Sequence, residues 1–202
     1  MKIHHKVAFP LAAAVFALLV FDTVVRLVTG HWTPVTDDQL GSALTRVAIS
    51  VLVGATFGAL LFVVFRERAA FAAGNRVVRL CRWPLLVGLG LLVFMFAVPP
   101  SVAAQIPEVV RSLIGSLTLL LTFVTAMVIG LATLRHNPLG LGARILVAVP
   151  IVFGLAVLLM AIDSPVGSPA PVTGLAALGI SLLGASTRHP QGRRPVVAAA
   201  IS

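Results

Sequence analysis

The first apolar stretch of the chain carries charge where lipid tolerates little. In "FDTVVRLVTGHW", residues 21–32, Asp22 is followed one helical turn later by Arg26. A carboxylate inside a membrane span is by default a candidate proton relay or cation ligand, because its desolvation is costly. The spacing also permits a quieter chemistry. Asp four residues before Arg is the favourable helical order, so the two can neutralise each other on one face as an intramembrane ion pair. With a span starting near Val7, Asp22 lies about 22 Å along the helix at ~1.5 Å per residue. Arg26 then sits near the outer surface, where its head group can snorkel to water.

A second set lies in the fourth apolar run. Gly115, Thr118, Thr122 and Thr125 share one helical face, with Thr133 farther along. Such a stripe can line a polar path in a transporter. The expected alternative is that each hydroxyl bonds back to a carbonyl one turn earlier, at little cost in lipid.

The five histidines offer less. His4, His5, His136 and His189 fall beside basic segments and His31 on the opposite side, none of them mid-span. No His-x3-His spacing or nearby carboxylate fixes a metal geometry. His4 and His5 are adjacent, so their side chains are expected to diverge on a helix. No metal and no cofactor are expected. The chain also lacks HExxH, GxSxG and a Gly-rich phosphate loop followed by Lys. With six acidic residues in all, and only Asp22 well inside a span, intramembrane carboxylate chemistry lacks its second group. The single cysteine, Cys81, excludes an internal disulfide and a CxxC pair. The chain is not expected to be an enzyme.

Composition says what must hold these residues. Hydrophobic residues make up 59% of the chain and charged ones 10%, with mean hydropathy +1.08. A globular domain has about 25% charged residues, so this chain cannot cover its apolar surface without lipid. The 15 Lys+Arg against 6 Asp+Glu give a formal charge of +9. These basic residues fall mostly between apolar runs, as the positive-inside rule places them, and no nucleic-acid partner is expected.

A transmembrane helix needs ~20 mostly apolar residues. Five stretches meet this, at about 7–28, 43–65, 84–104, 112–134 and 145–163. A sixth, about 169–187, is shorter and richer in Gly. The start "MKIHHK" and the linkers 66–82, 135–144 and 188–195 are basic, whereas 29–42 and 163–171 contain no Lys or Arg. This alternation predicts both termini in the cytoplasm and an even number of spans, with 188–202 as a short basic tail. The N-terminal run lacks a small-x-small site and reads as an uncleaved first span. Trp32 and Trp83 fall at predicted interfaces.

In the 66–82 linker a helical wheel puts Arg68, Arg76, Arg79 and Arg82 on one face, suited to anionic headgroups of the inner leaflet, with Gly74 and Asn75 as candidate breakers. Pro99-Pro100 is a candidate helix stop and Pro150 a candidate kink. Span two places Ser50, Gly54 and Gly58 in line for close helix packing.

The expected fold is an all-α integral membrane protein, a single bundle of about six helices with short loops. The leading functional expectation is a non-catalytic polytopic subunit or accessory protein of a bacterial cytoplasmic-membrane complex. Its expected contacts are the bilayer, anionic lipids and a membrane protein partner or a homo-oligomer. The alternative is a small transporter or carrier using Asp22 and the threonine face. An outside reading is a lipid-modifying enzyme, which requires His136 and His189 to converge near Arg135 and Arg188.

Overall fold

Long apolar runs in this chain become helices because only a helix satisfies its own backbone in hydrocarbon. The computed structural model describes residues 1–35, 41–98, 105–162, 164, 167–168 and 170–185. In chain order the helices are α1 (Ile3–Thr29), α2 (Ala43–Arg66), the single-turn α3 (Arg68–Ala72) and α4 (Arg76–Ala97). They are followed by α5 (Glu108–Ala132), α6 (Leu141–Ala161) and α7 (Ala170–Ser181). Within α5 the turn Leu120–Val124 is π-helical. No strand occurs among the described residues. Pro99-Pro100, Arg188, His189 and the basic tail lie outside the described residues.

Five helices, α1, α2, α4, α5 and α6, are long and apolar enough to cross a membrane. Each carries large apolar side chains on its outer face, among them Leu27, Leu44, Phe94, Leu113 and Ile151. The expected first, second and fifth spans match their helices closely. The third begins eight residues before its expected start at 84, because Asn75 accepts a hydrogen bond from the Val78 amide (2.9 Å) and caps a helix starting at Arg76. Pro150 sits inside a continuous α6.

The helices form a ring. Each of α1, α2, α4, α5, α6 and α7 packs on the next, and α7 closes back on α1 while also touching α2. The segment with the weakest apolar signal is therefore the most enclosed. α7 has 12 residues, and Val172, Ala176, Ala177, Ile180 and Ser181 are all buried in it. That is roughly 18 Å of helix, shorter than the other five. Because its neighbours shield it from lipid, small residues serve it better than large apolar ones.

Close approach replaces hydrophobic contrast as the driving force between such helices. A Cβ on Gly130 would lie 2.6 Å from the Leu146 carbonyl carbon, so α5 and α6 touch backbone to backbone there. Gly174 and Gly179 seat α7 against Phe16 and Leu146. The expected packing stripe is used at one of its two glycines. A Cβ on Gly54 would meet Phe96 of α4 at 3.1 Å, whereas nothing lies within 4 Å of one on Gly58. Ser50 lines a cavity instead.

At one end of the bundle the basic segments meet. Lys2 reaches Glu67, His5 reaches the Ser181 carbonyl, Asn75 Nδ2 donates to the Ala132 carbonyl (2.9 Å), and the Gly184 amide donates to the Leu139 carbonyl (2.8 Å). The start of α1 and the finish of α7 thus lie at the same end.

Candidate functional site

The strongest concentration of ionisable groups is at this basic end, and it centres on Glu67. This residue forms the corner between α2 and α3, its amide donating to the Val63 carbonyl (2.9 Å). Its side chain is only 2% exposed. Lys2 Nζ donates to both carboxylate oxygens at 2.7 and 2.8 Å. His4 Nε2 lies 2.7 Å and His5 Nε2 3.3 Å from Oε1. His5 is fully buried, and its Nδ1 donates to the Ser181 carbonyl at 2.8 Å. Gly184, in the left-handed region at φ +79°, lays its backbone on the carboxylate, where a Cβ would fall 2.6 Å from Oε2. Burial pushes the Glu67 carboxyl up. The Lys2 and His4 hydrogen bonds, with the Lys2 and His5 charges, outweigh that and hold it below the usual carboxylate range.

The histidines were expected to diverge with no carboxylate nearby, and the structure corrects both points. Neighbouring side chains on a helix leave it about 100° apart, but at a helix start they can reach one atom held between them. His4 and His5 rings lie 4.3 Å apart, both turned to Glu67. Glu67 is 62 residues from His5, so no local spacing records the association.

At the opposite end of α1 the two charged residues do unexpected work. Asp22 is fully buried, and its Oδ1 accepts from both the amide (2.8 Å) and the hydroxyl of Thr33. Arg26 lays its guanidinium 3.5 Å above the Trp32 ring. Asp22 and Arg26 do not form an ion pair with each other, and the ion pairs between described residues converge on Glu67. Both charges instead hold the chain folded back after Gly30, a left-handed cap at φ 74°. Asp22→Asn keeps an oxygen acceptor for Thr33, so its unfolding free energy should stay within about 1 kcal/mol of the parent. Asp22→Leu should cost about 1–3 kcal/mol by orphaning the Thr33 amide. Detergent unfolding of the two variants checks this. Equal losses would sink the assignment.

The threonine face points inward, but its hydroxyls do not behave as expected. Thr133 bonds back to the Ile129 and Gly130 carbonyls at 2.9 and 2.8 Å. Thr118 and Thr122 are buried with no hydrogen-bond partner for their hydroxyls among the described residues, and Thr125 is buried beside them. The π turn accounts for part of this, since it alters the carbonyl that a hydroxyl at Thr122 would meet one turn back. Gly88 of α4 lies directly against Thr122, so the face is pressed into the α4–α5 contact. Thr122→Val keeps the shape and removes an unsatisfied group, so it should stabilise the protein by about 1 kcal/mol. A loss of stability on thermal unfolding would mean that the hydroxyl has a partner.

The arginine face of the 66–82 linker is divided. Gly74 and Asn75 break it, so the linker is not one helix. Arg68, Arg76 and Arg79 remain exposed, whereas Arg82 donates to the Val64 (3.3 Å) and Phe65 (3.2 Å) carbonyls and caps α2. Of its apolar residues, Ala70, Phe71 and Val78 are buried, whereas Ala69, Ala73, Val77 and Leu80 are exposed.

A cavity of about 370 Å³ opens between α1, α2, α4, α5 and α7 on the side of the folded-back segment. Its walls are mostly apolar, including Val15, Leu19, Phe57 and Leu92, with Arg46, Ser50 and Thr173 as polar contributors. Neither Asp22 nor the threonines of α5 line it.

Fold and site together define an all-helical protein with five helices suited to a membrane and an ionised, buried corner at its basic end. Comparison with known proteins finds no match to a family model, a curated protein or a solved structure.

Proposed function

We propose that the chain is a non-catalytic, six-pass subunit or accessory protein of a bacterial cytoplasmic-membrane complex, with both termini in the cytoplasm. The observation that supports this most is how the intramembrane polar residues are used. Asp22 ties down Thr33, Arg26 covers Trp32 and Arg82 caps α2, each joining parts of the same chain. The outer faces stay apolar, suited to lipid and to the helices of a partner or a second copy. Exposed Arg66, Arg68, Arg76, Arg79 and Arg135 gather near the end where α1 starts and α7 finishes. Positive residues favour the cytoplasmic side and anionic lipid there.

Native mass spectrometry after mild extraction tests the assembly. The expected result is a stoichiometric complex with another membrane protein; a lone monomer overturns the subunit reading. A reporter fused after Ser202 should read out in the cytoplasm, and an extracytoplasmic signal overturns the topology.

The carrier reading keeps one supporting observation, the two unsatisfied hydroxyls of Thr118 and Thr122 beside a π turn, a distortion frequent at functional sites. Solute flux in proteoliposomes that disappears in Thr122→Val would favour it over the subunit. The lipid-enzyme reading depends on His189, which lies outside the described residues, and on His136, which is exposed.

A further inference from the structure

The contact between His5 and Glu67 is chemically incomplete when the His5 ring is neutral. A carbonyl oxygen has no proton to give, so the 2.8 Å contact with Ser181 requires the His5 hydrogen on Nδ1. In a neutral ring this leaves a lone pair on Nε2, facing Glu67 Oε1 at 3.3 Å. Glu67, kept ionised by Lys2, is also an acceptor at that atom. Two acceptors face each other inside the protein unless a proton on His5 or a metal cation lies between them.

We propose that His4 Nε2, His5 Nε2 and the Glu67 carboxylate form a binding site for a divalent transition-metal ion of the zinc class. The three donor atoms lie within 4.8 Å of one another. In a tetrahedral zinc site with bonds of about 2.0–2.2 Å, donors stand roughly 3.3 Å apart. The His5–Glu67 separation of 3.3 Å already matches, and the His4–Glu67 separation of 2.7 Å needs a small opening.

Two imidazoles and a carboxylate form a donor set that suits zinc and leaves one position open. The outer contacts also fit. A metal-bound histidine commonly donates its other ring N–H to a backbone carbonyl, which fixes tautomer and ring angle, and Ser181 does this for His5. Lys2 is the group that an incoming ion must displace. Its side chain is half exposed, so it can release the carboxylate and swing to water, opening a route from the basic end. A bound ion would fasten the start of α1 to the α2–α3 corner and, through Ser181, to the end of α7.

The test uses the full chain in detergent, stripped with EDTA and titrated with Zn²⁺ and with Co²⁺ as a coloured substitute. The expected result is saturable binding of one ion per chain and a rise in melting temperature with Zn²⁺. His4→Ala and His5→Gln should each weaken binding at least ~100-fold, the upper end of what loss of an outer-shell partner costs. Lys2→Ala retains all three donors and removes the competitor, so it should bind as tightly or more tightly. X-ray absorption on the wild-type zinc form reads the ligands without relying on any variant, and two imidazoles with one carboxylate oxygen are expected.

Absence of saturable binding would mean that a proton on His5 fills the gap, and would overturn the proposal. So would binding that both histidine variants leave unchanged, which would place the ion at other histidines. Loss of binding in Lys2→Ala would likewise overturn it.

Discussion

Replacing Glu67 with Ala is expected to destabilise the protein by about 3 kcal/mol or more, the range seen when one member of a buried charge set is removed and the rest are left uncompensated. The size follows from burial and connectivity. The carboxylate is almost inaccessible and accepts from Lys2 while facing His4 and His5, and the Gly184 backbone rests on it. Its loss leaves the fully buried His5 without the group its Nε2 faces. Lys2→Ala should cost less than about 1 kcal/mol, because that ammonium is half exposed and screened. Chemical unfolding in detergent compares the two. A Glu67→Ala loss no larger than that of Lys2→Ala would show that the corner is held by packing and not by charge.

The second large effect is expected at Gly142→Leu. This glycine lies in the first turn of α6, and any Cβ there would collide with the Gly179 carbonyl oxygen and with backbone atoms of Leu182 and Leu183. Backbone cannot swing aside as a side chain can. Overpacking commonly costs about 1–3 kcal/mol, and here the upper end or beyond is expected, despite the ~1 kcal/mol by which helix propensity favours Leu over Gly. Gly154→Leu is the matched control, since nothing lies within 4 Å of a Cβ at that position of the same helix. Thermal melting should separate them clearly. Similar behaviour of both variants would mean that α6 and α7 are not in contact as described.

Much of the fold was legible because lipid imposes length and composition on every segment facing it. The five long helices announce themselves as apolar runs, and the basic linkers foretell which loops share an end. α7 was harder to read, since a helix surrounded by protein need not be strongly apolar. Gly142 and Gly179 serve in close packing whereas Gly58 does not, and that depends on which helix lies opposite, something no pattern within span two encodes. The candidate site was the least legible part. Asp22 stood out through its charge, but its partner Thr33 lies 11 residues on, beyond a chain reversal. Glu67 looked like part of an ordinary basic linker. Only the fold brings the two histidines from one end of α1 to it.

The ring also sets a schedule for biosynthesis. The Ser181 carbonyl that His5 needs is made 176 residues after it. At ~5–20 residues per second, this interval is roughly 10–35 s. During that time the groove on α1 that α7 will fill is open to lipid, to its own neighbours or to an insertion factor. α7, made after the other helices described, is thus the one that completes α1, and a ribosome that stops before α7 leaves the seam between α1 and α6 unclosed.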